Sequence, residues 1–143
     1  MGLAVIKESV ASLDLARINR ELAGAPAEDV VRWALGLGLR PFMSTSFGPN
    51  AALMLDLVSG IDASVPVVWV DTGYNLRDTY VVADKLMKLL PPNMKIYTPR
   101  MSAERWNALY GGIPQLDEAE LHEQFTRNIK LEPFERALAE LAP

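Results

Sequence analysis

The residues best suited to chemistry begin in a hydroxyl-rich loop, 44–50, between a short apolar run and a segment with helical periodicity. Its first five residues are Ser44, Thr45, Ser46, Phe47 and Gly48. Hydroxyl groups and the free N–H groups at the start of a helix bind anions, and glycine lets a ligand approach the backbone. We therefore predict a phosphate or sulfate site. The loop also fits an ordinary turn in which Ser46 or Asn50 caps the helix.

A second loop of similar character follows the next apolar run and again precedes a helical pattern. It consists of Asp71, Thr72, Gly73 and Tyr74. In open α/β sheets, ligands bind beyond the carboxyl ends of the strands, so both loops should face one site. Asp71 could orient a ribose hydroxyl there, and Gly73 could let a base pack against the backbone. The alternative is that Asp71 only caps the following helix.

The elements that would position these loops alternate between strand and helix. Apolar runs predict strands over 40–45, 65–70 and 94–97, and periodic patterns predict helices before, between and after them. Pro133 should open the last helix. The helix residues expected to be buried are Val30, Val31, Ala34 and Leu35 before the first strand, Ala51, Leu53, Met54, Leu57 and Val58 after it, and Phe134, Ala137, Leu138 and Leu141 in the last helix. Such units require right-handed crossovers and a parallel sheet. We predict an α/β fold with helices on both faces of the sheet. Residues 1–12 are expected to form a loose arm and residues 13–143 a single domain.

Composition excludes several classes of protein. Half of the 143 residues are hydrophobic and 22% are charged, as expected for a folded domain, and the net charge of −4 argues against a general nucleic-acid binder. The chain has no cysteine. No apolar run reaches the length of a membrane helix. We therefore expect a cytoplasmic protein without disulfides, metal site or membrane contact.

Several motifs occur in the order seen in phosphoadenylyl-sulfate reductases. They are the loop 44–48, the loop 71–74 with residues 78–80, the Tyr-Gly pair 110–111 and the segment 130–138. Over roughly residues 22–141 the chain resembles the N-terminal, nucleotide-binding part of such an enzyme. The resemblance implies the adenine nucleotide alpha-hydrolase-like fold, which is Rossmann-like and belongs to the PP-loop superfamily.

The resemblance also implies a function and partners. Enzymes of this family use thioredoxin to reduce phosphoadenylyl sulfate to sulfite and adenosine 3′,5′-bisphosphate in sulfate assimilation, which leads to cysteine. Their nucleophilic cysteine and phosphosulfate-binding arginines would lie beyond Pro143. The chain alone is therefore expected to be inactive, because this sulfur chemistry needs a thiolate.

Two alternative functions stay open at this point. One is a nucleotide-binding or partner-binding module without catalysis, and the other is a PP-loop enzyme that uses ATP. The ATP-cleaving loop has a second glycine and an aspartate where this chain has Phe47 and Asn50.

The resemblance adds Lys130 and Glu132 to the predicted nucleotide site. Lys130 would steady a sulfate or phosphate, whereas Glu132 could instead pair with Arg136 one turn later. Family members with an iron–sulfur cluster carry a cysteine pair where this chain has Phe125 and Thr126. The resemblance therefore implies the cluster-free type.

The resemblance finally implies an open sheet edge. In the family the first strand pairs on its far side with strands that follow the last helix seen here, and this chain stops before them. An apolar strand edge recruits other strands. The sequence therefore predicts a homo-oligomer.

Overall fold

The computed structural model describes residues 13–141. Two helices, α1 (Leu15–Leu22) and α2 (Ala27–Leu35), precede the strand–helix units. The units that follow are β1 (Met43–Thr45), α3 (Ala51–Ile61), β2 (Pro66–Val70), α4 (Arg77–Leu89), β3 (Asn93–Tyr97) and α5 (Ala103–Tyr110). A last helical segment comprises α6 (Ala119–Thr126), a π-helical turn (Arg127–Leu131) and α7 (Glu132–Leu141).

Within the described residues the sheet has three parallel strands in the order β1-β2-β3. Ser44 lies opposite Val68, and Val68 lies opposite Lys95. All three carboxyl ends therefore lie at the same edge of the sheet, as the strand–helix alternation predicted. β1 begins at Met43 rather than at residue 40, because Pro41 has no N–H for a strand ladder.

Helices cover both faces of the sheet. Val67 and Trp69 of β2 pack on one face with Leu55 of α3 and Ala83 of α4. Val68 points to the other face and packs with Ala137 of α7. The predicted α/β fold with helices on both faces is confirmed.

The last helix differs from the prediction. We expected a separate helix opening at Pro133, but the chain is helical without a break from Ala119 to Leu141. Proline inside a helix removes a backbone hydrogen bond and collides with the carbonyl four residues earlier. The π-helical turn just before Pro133 accommodates that defect, and Glu132 N–H donates to the Arg127 carbonyl five residues earlier.

Some predicted buried residues are exposed. In α3, Leu53 and Met54 are 67% and 40% exposed, whereas Leu55, which the sequence pattern did not single out, is fully buried. α3 is so rich in apolar residues that its sequence supports more than one inward face. The predicted stripe of α2 contains no fully buried residue, and Leu138 of α7 is 39% exposed.

Two predictions concern regions that the structure leaves untested. The proposed arm, residues 1–12, lies outside the described residues. Self-association through the outer edge of β1 stays a prediction, and that edge is only 3 residues long. No helix within residues 13–141 is long and apolar enough to span a membrane.

The burial pattern of α3 gives a direct test of the core. Leu55→Ala should lower the free energy of unfolding by about 2–5 kcal/mol, because it removes a fully buried side chain between α3 and the sheet. Leu53→Ala, on the same helix, should change it by less than about 0.5 kcal/mol. Urea unfolding measures both. Equal losses in the two variants would show that α3 presents a different face to the sheet.

Candidate nucleotide-binding site

A cleft of about 750 Å³ opens at the carboxyl ends of the strands. Six of the residues predicted for the site line it: Ser44, Thr45, Ser46, Thr72, Tyr74 and Lys130. Ser44 and Thr45 end β1, and Ser46 directly follows it. The next two residues follow β2, and Lys130 belongs to the π-helical turn. Segments far apart in the sequence thus meet at one cleft.

Phe47 anchors the first loop to the hydrophobic core. It is only 6% exposed and packs edge-to-face on Trp69 with ring centroids 4.9 Å apart. Its φ of 54° lies in the left-handed region, which is uncommon for an aromatic residue. Its N–H donates to Thr45 Oγ1 at 3.1 Å, which helps hold this conformation. Phe47 was predicted as a binding residue, but the structure buries it beneath the loop.

Gly48 lies beside the cleft rather than in it. It borders a shallower depression of about 290 Å³ that shares the three hydroxyl residues of the loop with the main cleft. A Cβ at Gly48 would meet only Ser46 Oγ, at 3.7 Å, which is ordinary contact. The backbone conformation therefore does not require glycine here.

Asp71 acts inside its own loop. Its Oδ1 accepts hydrogen bonds from Gly73 N–H at 3.1 Å, Asn75 Nδ2 at 3.2 Å and Tyr80 Oη at 2.7 Å. Burial raises the pKa of Tyr80, and the hydrogen bond to Asp71 raises it further. The phenol therefore stays protonated and donates at neutral pH. This network fixes the turn after β2, and Asp71 is not among the residues that line the cleft.

Gly73 is required by the packing of the second loop against α5. Its φ is +76°, and a Cβ would lie 3.0 Å from the Ala103 Cβ. A side chain would therefore strain the backbone and push the loop away from α5. Gly73 thus sets the distance between loop and helix, and it is not among the residues that line the cleft.

Tyr74 lines the cleft and also packs against the hydrophobic core next to it. Its hydroxyl donates to Asn107 Oδ1 at 2.6 Å, and its ring packs edge-to-face on Phe125 with centroids 5.1 Å apart. Burial, with a smaller contribution from Glu104, raises the pKa of Tyr74. The ring is therefore held in a fixed orientation as part of the wall.

Lys130 and Glu132 have different roles although they are close in sequence. Lys130 is exposed, lines the cleft and forms no ion pair within residues 13–141. Glu132 instead pairs with Arg100 at 3.3 Å and with Arg136 at 3.2 Å. Arg136 also donates to the Thr98 carbonyl at 2.7 Å. The pair with Arg136 is the alternative that the sequence suggested for Glu132. The pair with Arg100 in addition attaches the last helix to the loop after β3.

Sequence analysis did not single out the apolar residues that line the cleft. They lie on β2, on the loop after α5 or on the last helical segment: Val68, Val70, Ile113, Phe125, Ile129, Leu131 and Phe134. Apolar residues give no signal that separates a ligand wall from the core. The lining combines hydroxyls and one cation with an apolar wall, a combination that suits an anion attached to an apolar or aromatic group.

The described residues contain no metal cluster. Among residues 13–141, no group of three or more histidine, cysteine, aspartate or glutamate residues could hold a metal ion. The polar side chains that line the cleft carry hydroxyl groups, one amide and one ammonium group.

The parallel sheet, the helices on both of its faces and the cleft beyond its strand ends define an α/β protein with its cleft where such sheets bind ligands. The family model for the phosphoadenosine phosphosulfate reductase domain matches residues 40–143. The chain belongs to the phosphoadenosine phosphosulfate reductase family.

Individual relatives agree with the family model. The chain is 41% identical to a phosphoadenosine 5′-phosphosulfate reductase of Synechocystis, with 95% of this chain and 55% of the relative aligned. The corresponding values for the reductase of Shewanella oneidensis are 39%, 98% and 57%. The chain thus spans about half the length of these curated relatives.

A solved structure has the same fold. The phosphoadenylyl-sulfate reductase of Candida auris, determined as a phosphate complex, superimposes with a TM-score of 0.75 at 27% sequence identity. The match covers 91% of this chain and 64% of the other.

The Asp71 network gives a prediction about the second loop. Tyr80→Phe should lower the free energy of unfolding by about 1 kcal/mol, because it removes one of three donors to the carboxylate and leaves the other two. Urea unfolding measures the change. Tyr110→Phe is the control, because the Tyr110 hydroxyl makes no hydrogen bond within residues 13–141.

The pH dependence of stability tests the hydrogen bond between Tyr80 and Asp71 independently. Folding raises the pKa of Tyr80 above its ordinary 10.0 and so favours the neutral phenol. The resulting stabilisation is complete below about pH 10 and is lost as the pH rises above it. The Tyr80→Phe variant should therefore lose less stability on that rise than the wild type. An identical decline of the free energy of unfolding in the two proteins would contradict this role of Tyr80.

Proposed function

We propose that this chain supplies the nucleotide-binding part of a phosphoadenylyl-sulfate reductase. The whole enzyme would reduce phosphoadenylyl sulfate to sulfite and adenosine 3′,5′-bisphosphate in the cytoplasm, with thioredoxin as the electron donor. The observation that carries the proposal is the meeting of the loop 44–46, the loop 72–74 and Lys130 at one cleft. Membership of the family gives that cleft its expected substrate class.

In this proposal the hydroxyl loop and Lys130 bind the negatively charged end of the nucleotide. Ser44, Thr45 and Ser46 supply hydroxyl donors, and Lys130 supplies a mobile positive charge. The phosphate bound by the Candida auris enzyme supports an anion in this type of fold. The absence of an ion pair to Lys130 within the described residues leaves its ammonium group available to a ligand.

The remaining groups shape the site around the nucleotide. Thr72 and Tyr74 border the cleft next to its apolar wall, which suits the flat adenine ring. Phe47, Asp71, Gly73 and Glu132 act indirectly, because each holds a lining segment in position. Gly48 lies outside the main cleft and lines only the smaller depression beside the hydroxyl loop.

The reductive step requires a group that this sequence does not contain. Attack on the sulfur of the nucleotide needs a thiolate, and the chain has no cysteine. The part of the reaction that these residues can perform is therefore to bind the nucleotide and to orient its phosphosulfate. The lack of cysteine likewise fits the cluster-free type of reductase, since an iron–sulfur centre is held by cysteine thiolates.

Nucleotide binding is the first prediction of the proposed function. Adenosine 3′,5′-bisphosphate should bind with a stoichiometry of one, and Lys130→Ala or Ser46→Ala should weaken the affinity by about five- to tenfold, because each removes one hydrogen bond to an anion. Isothermal titration calorimetry measures the affinity. The absence of binding at millimolar nucleotide to a folded sample would overturn the proposal.

Matched variants control for general effects of charge and mutation. Lys85→Ala removes an exposed lysine of α4, and Ser59→Ala removes a hydroxyl of α3. Neither residue lines the cleft, so both variants should bind the nucleotide with wild-type affinity. Tighter binding of ATP than of the bisphosphate would favour the alternative of an ATP-using enzyme.

A second prediction concerns turnover. This 143-residue chain, supplied with phosphoadenylyl sulfate and reduced thioredoxin, should produce sulfite only at the background rate, because it lacks a thiol nucleophile. A colorimetric sulfite assay on a preparation free of host reductase measures this. Thioredoxin-dependent sulfite release above that background would mean that another group performs the attack.

A further inference from the structure

The π-helical turn Arg127–Leu131 lies at the join between two packed halves of the last helical segment. On its N-terminal side, Phe125 and Ile129 pack with Trp106 of α5. On its C-terminal side, Ala137 packs with Val68 and Tyr97 of the sheet. One continuous helix therefore has to satisfy two separate hydrophobic clusters.

The buried residues of this helix repeat at intervals of four. Phe125, Ile129, Pro133 and Ala137 are all buried. In a regular α-helix each residue turns the chain by about 100°, so twelve residues would leave Ala137 about 120° away from Phe125. A turn with an i→i+5 bond takes up one extra residue and removes most of that difference. The π-helical turn, which is wider than an α-helical turn and is called the wide turn below, thus keeps both halves facing the core.

The same turn determines which face carries Lys130. Residues seven apart in a regular α-helix lie within about 20° of one another, so Lys130 would share the face of Ala137, which is fully buried. In the structure Lys130 instead lines the cleft, together with Leu131 and Phe134. The wide turn is thus associated with the exposure of the lysine to the cleft.

Pro133 gives the wide turn a chemical cause. It is almost completely buried and has no N–H to donate to the carbonyl of Ile129. Its ring would also collide with that carbonyl if the helix were regular. The observed bond from Glu132 N–H to the Arg127 carbonyl avoids that arrangement.

We propose that Pro133 is a positioning residue for nucleotide binding, because it holds the π-helical turn open and so directs Lys130 into the cleft. The inference rests on the proposed function, since it assumes that Lys130 contacts the anion. It assigns to the proline a role in affinity that is separate from the packing of its ring.

The main test compares Pro133→Ala with Lys130→Ala in titrations with adenosine 3′,5′-bisphosphate. The alanine can donate an N–H to the Ile129 carbonyl, so the turn should narrow and the affinity should fall by about the same five- to tenfold as in Lys130→Ala. The double variant should bind no more weakly than either single variant. Losses that multiply in the double variant would overturn the proposal.

Salt dependence separates positioning from a merely structural effect. A lysine–anion contact weakens as ionic strength rises, so both single variants should show an equally flattened dependence of affinity on salt. A general loosening of the fold would lower affinity without that flattening, and such a result would count against the proposal. Pro92→Ala, which changes a proline outside the cleft lining, should bind as the wild type does. Arg127→Ala, at the other end of the turn and also outside the lining, should do the same.

A second variant covers the case in which Pro133→Ala does not fold. Because the wide turn brings both 130 and 131 to the cleft, Leu131→Lys introduced into Lys130→Ala should restore most of the lost affinity. Failure to restore it, in a folded protein, would overturn the proposal. No binding to the wild-type chain would remove the proposed function as well, whereas wild-type affinity of Pro133→Ala would remove only this inference.

Discussion

The pairing of β2 with a parallel strand on each side is the constraint on which the rest of the structure depends. Val67, Val68 and Trp69 are nearly inaccessible to solvent, and alternate residues serve the two faces of the sheet. Because both neighbours run parallel to β2, their connections must cross over the sheet and their carboxyl ends must coincide. The central position of this one short strand therefore brings the loops that form the cleft to the same edge of the sheet.

The segments around the cleft contain both side chains that line it and side chains that anchor those segments to the protein. Hydroxyls and the Lys130 ammonium group face the cleft, while neighbouring residues are held by the protein itself. Phe47 is held by Trp69, Asp71 by three donors, and Glu132 by two arginines. Side chains fixed in this way hold the segments that line the cleft in one arrangement.

Much of the polar lining of the candidate site could be predicted from the sequence, because these residues occur in short segments with recognisable motifs. Six predicted residues line the cleft, and the family membership that the motifs indicated is confirmed. Other predicted residues have suitable chemistry but side chains that turn away from the cleft, such as Asp71, which turns toward its own loop. A carboxylate that binds a ribose and one that fixes a turn have the same local sequence signal. Only the neighbours, here Tyr80 and Asn75, distinguish the two roles.

The sequence by itself determined the order of strands and helices, the parallel sheet and the loops that follow the strands, because periodicity and turn residues act over short distances. The tertiary structure decided which face of α3 is buried, how the last helix passes through Pro133, and which charged residues are paired. These choices depend on contacts between segments that are distant in sequence. Glu132 illustrates the difference: its pairing with Arg136 follows from their spacing in one helix, but its pairing with Arg100 exists only because the last helix packs beside the loop after β3.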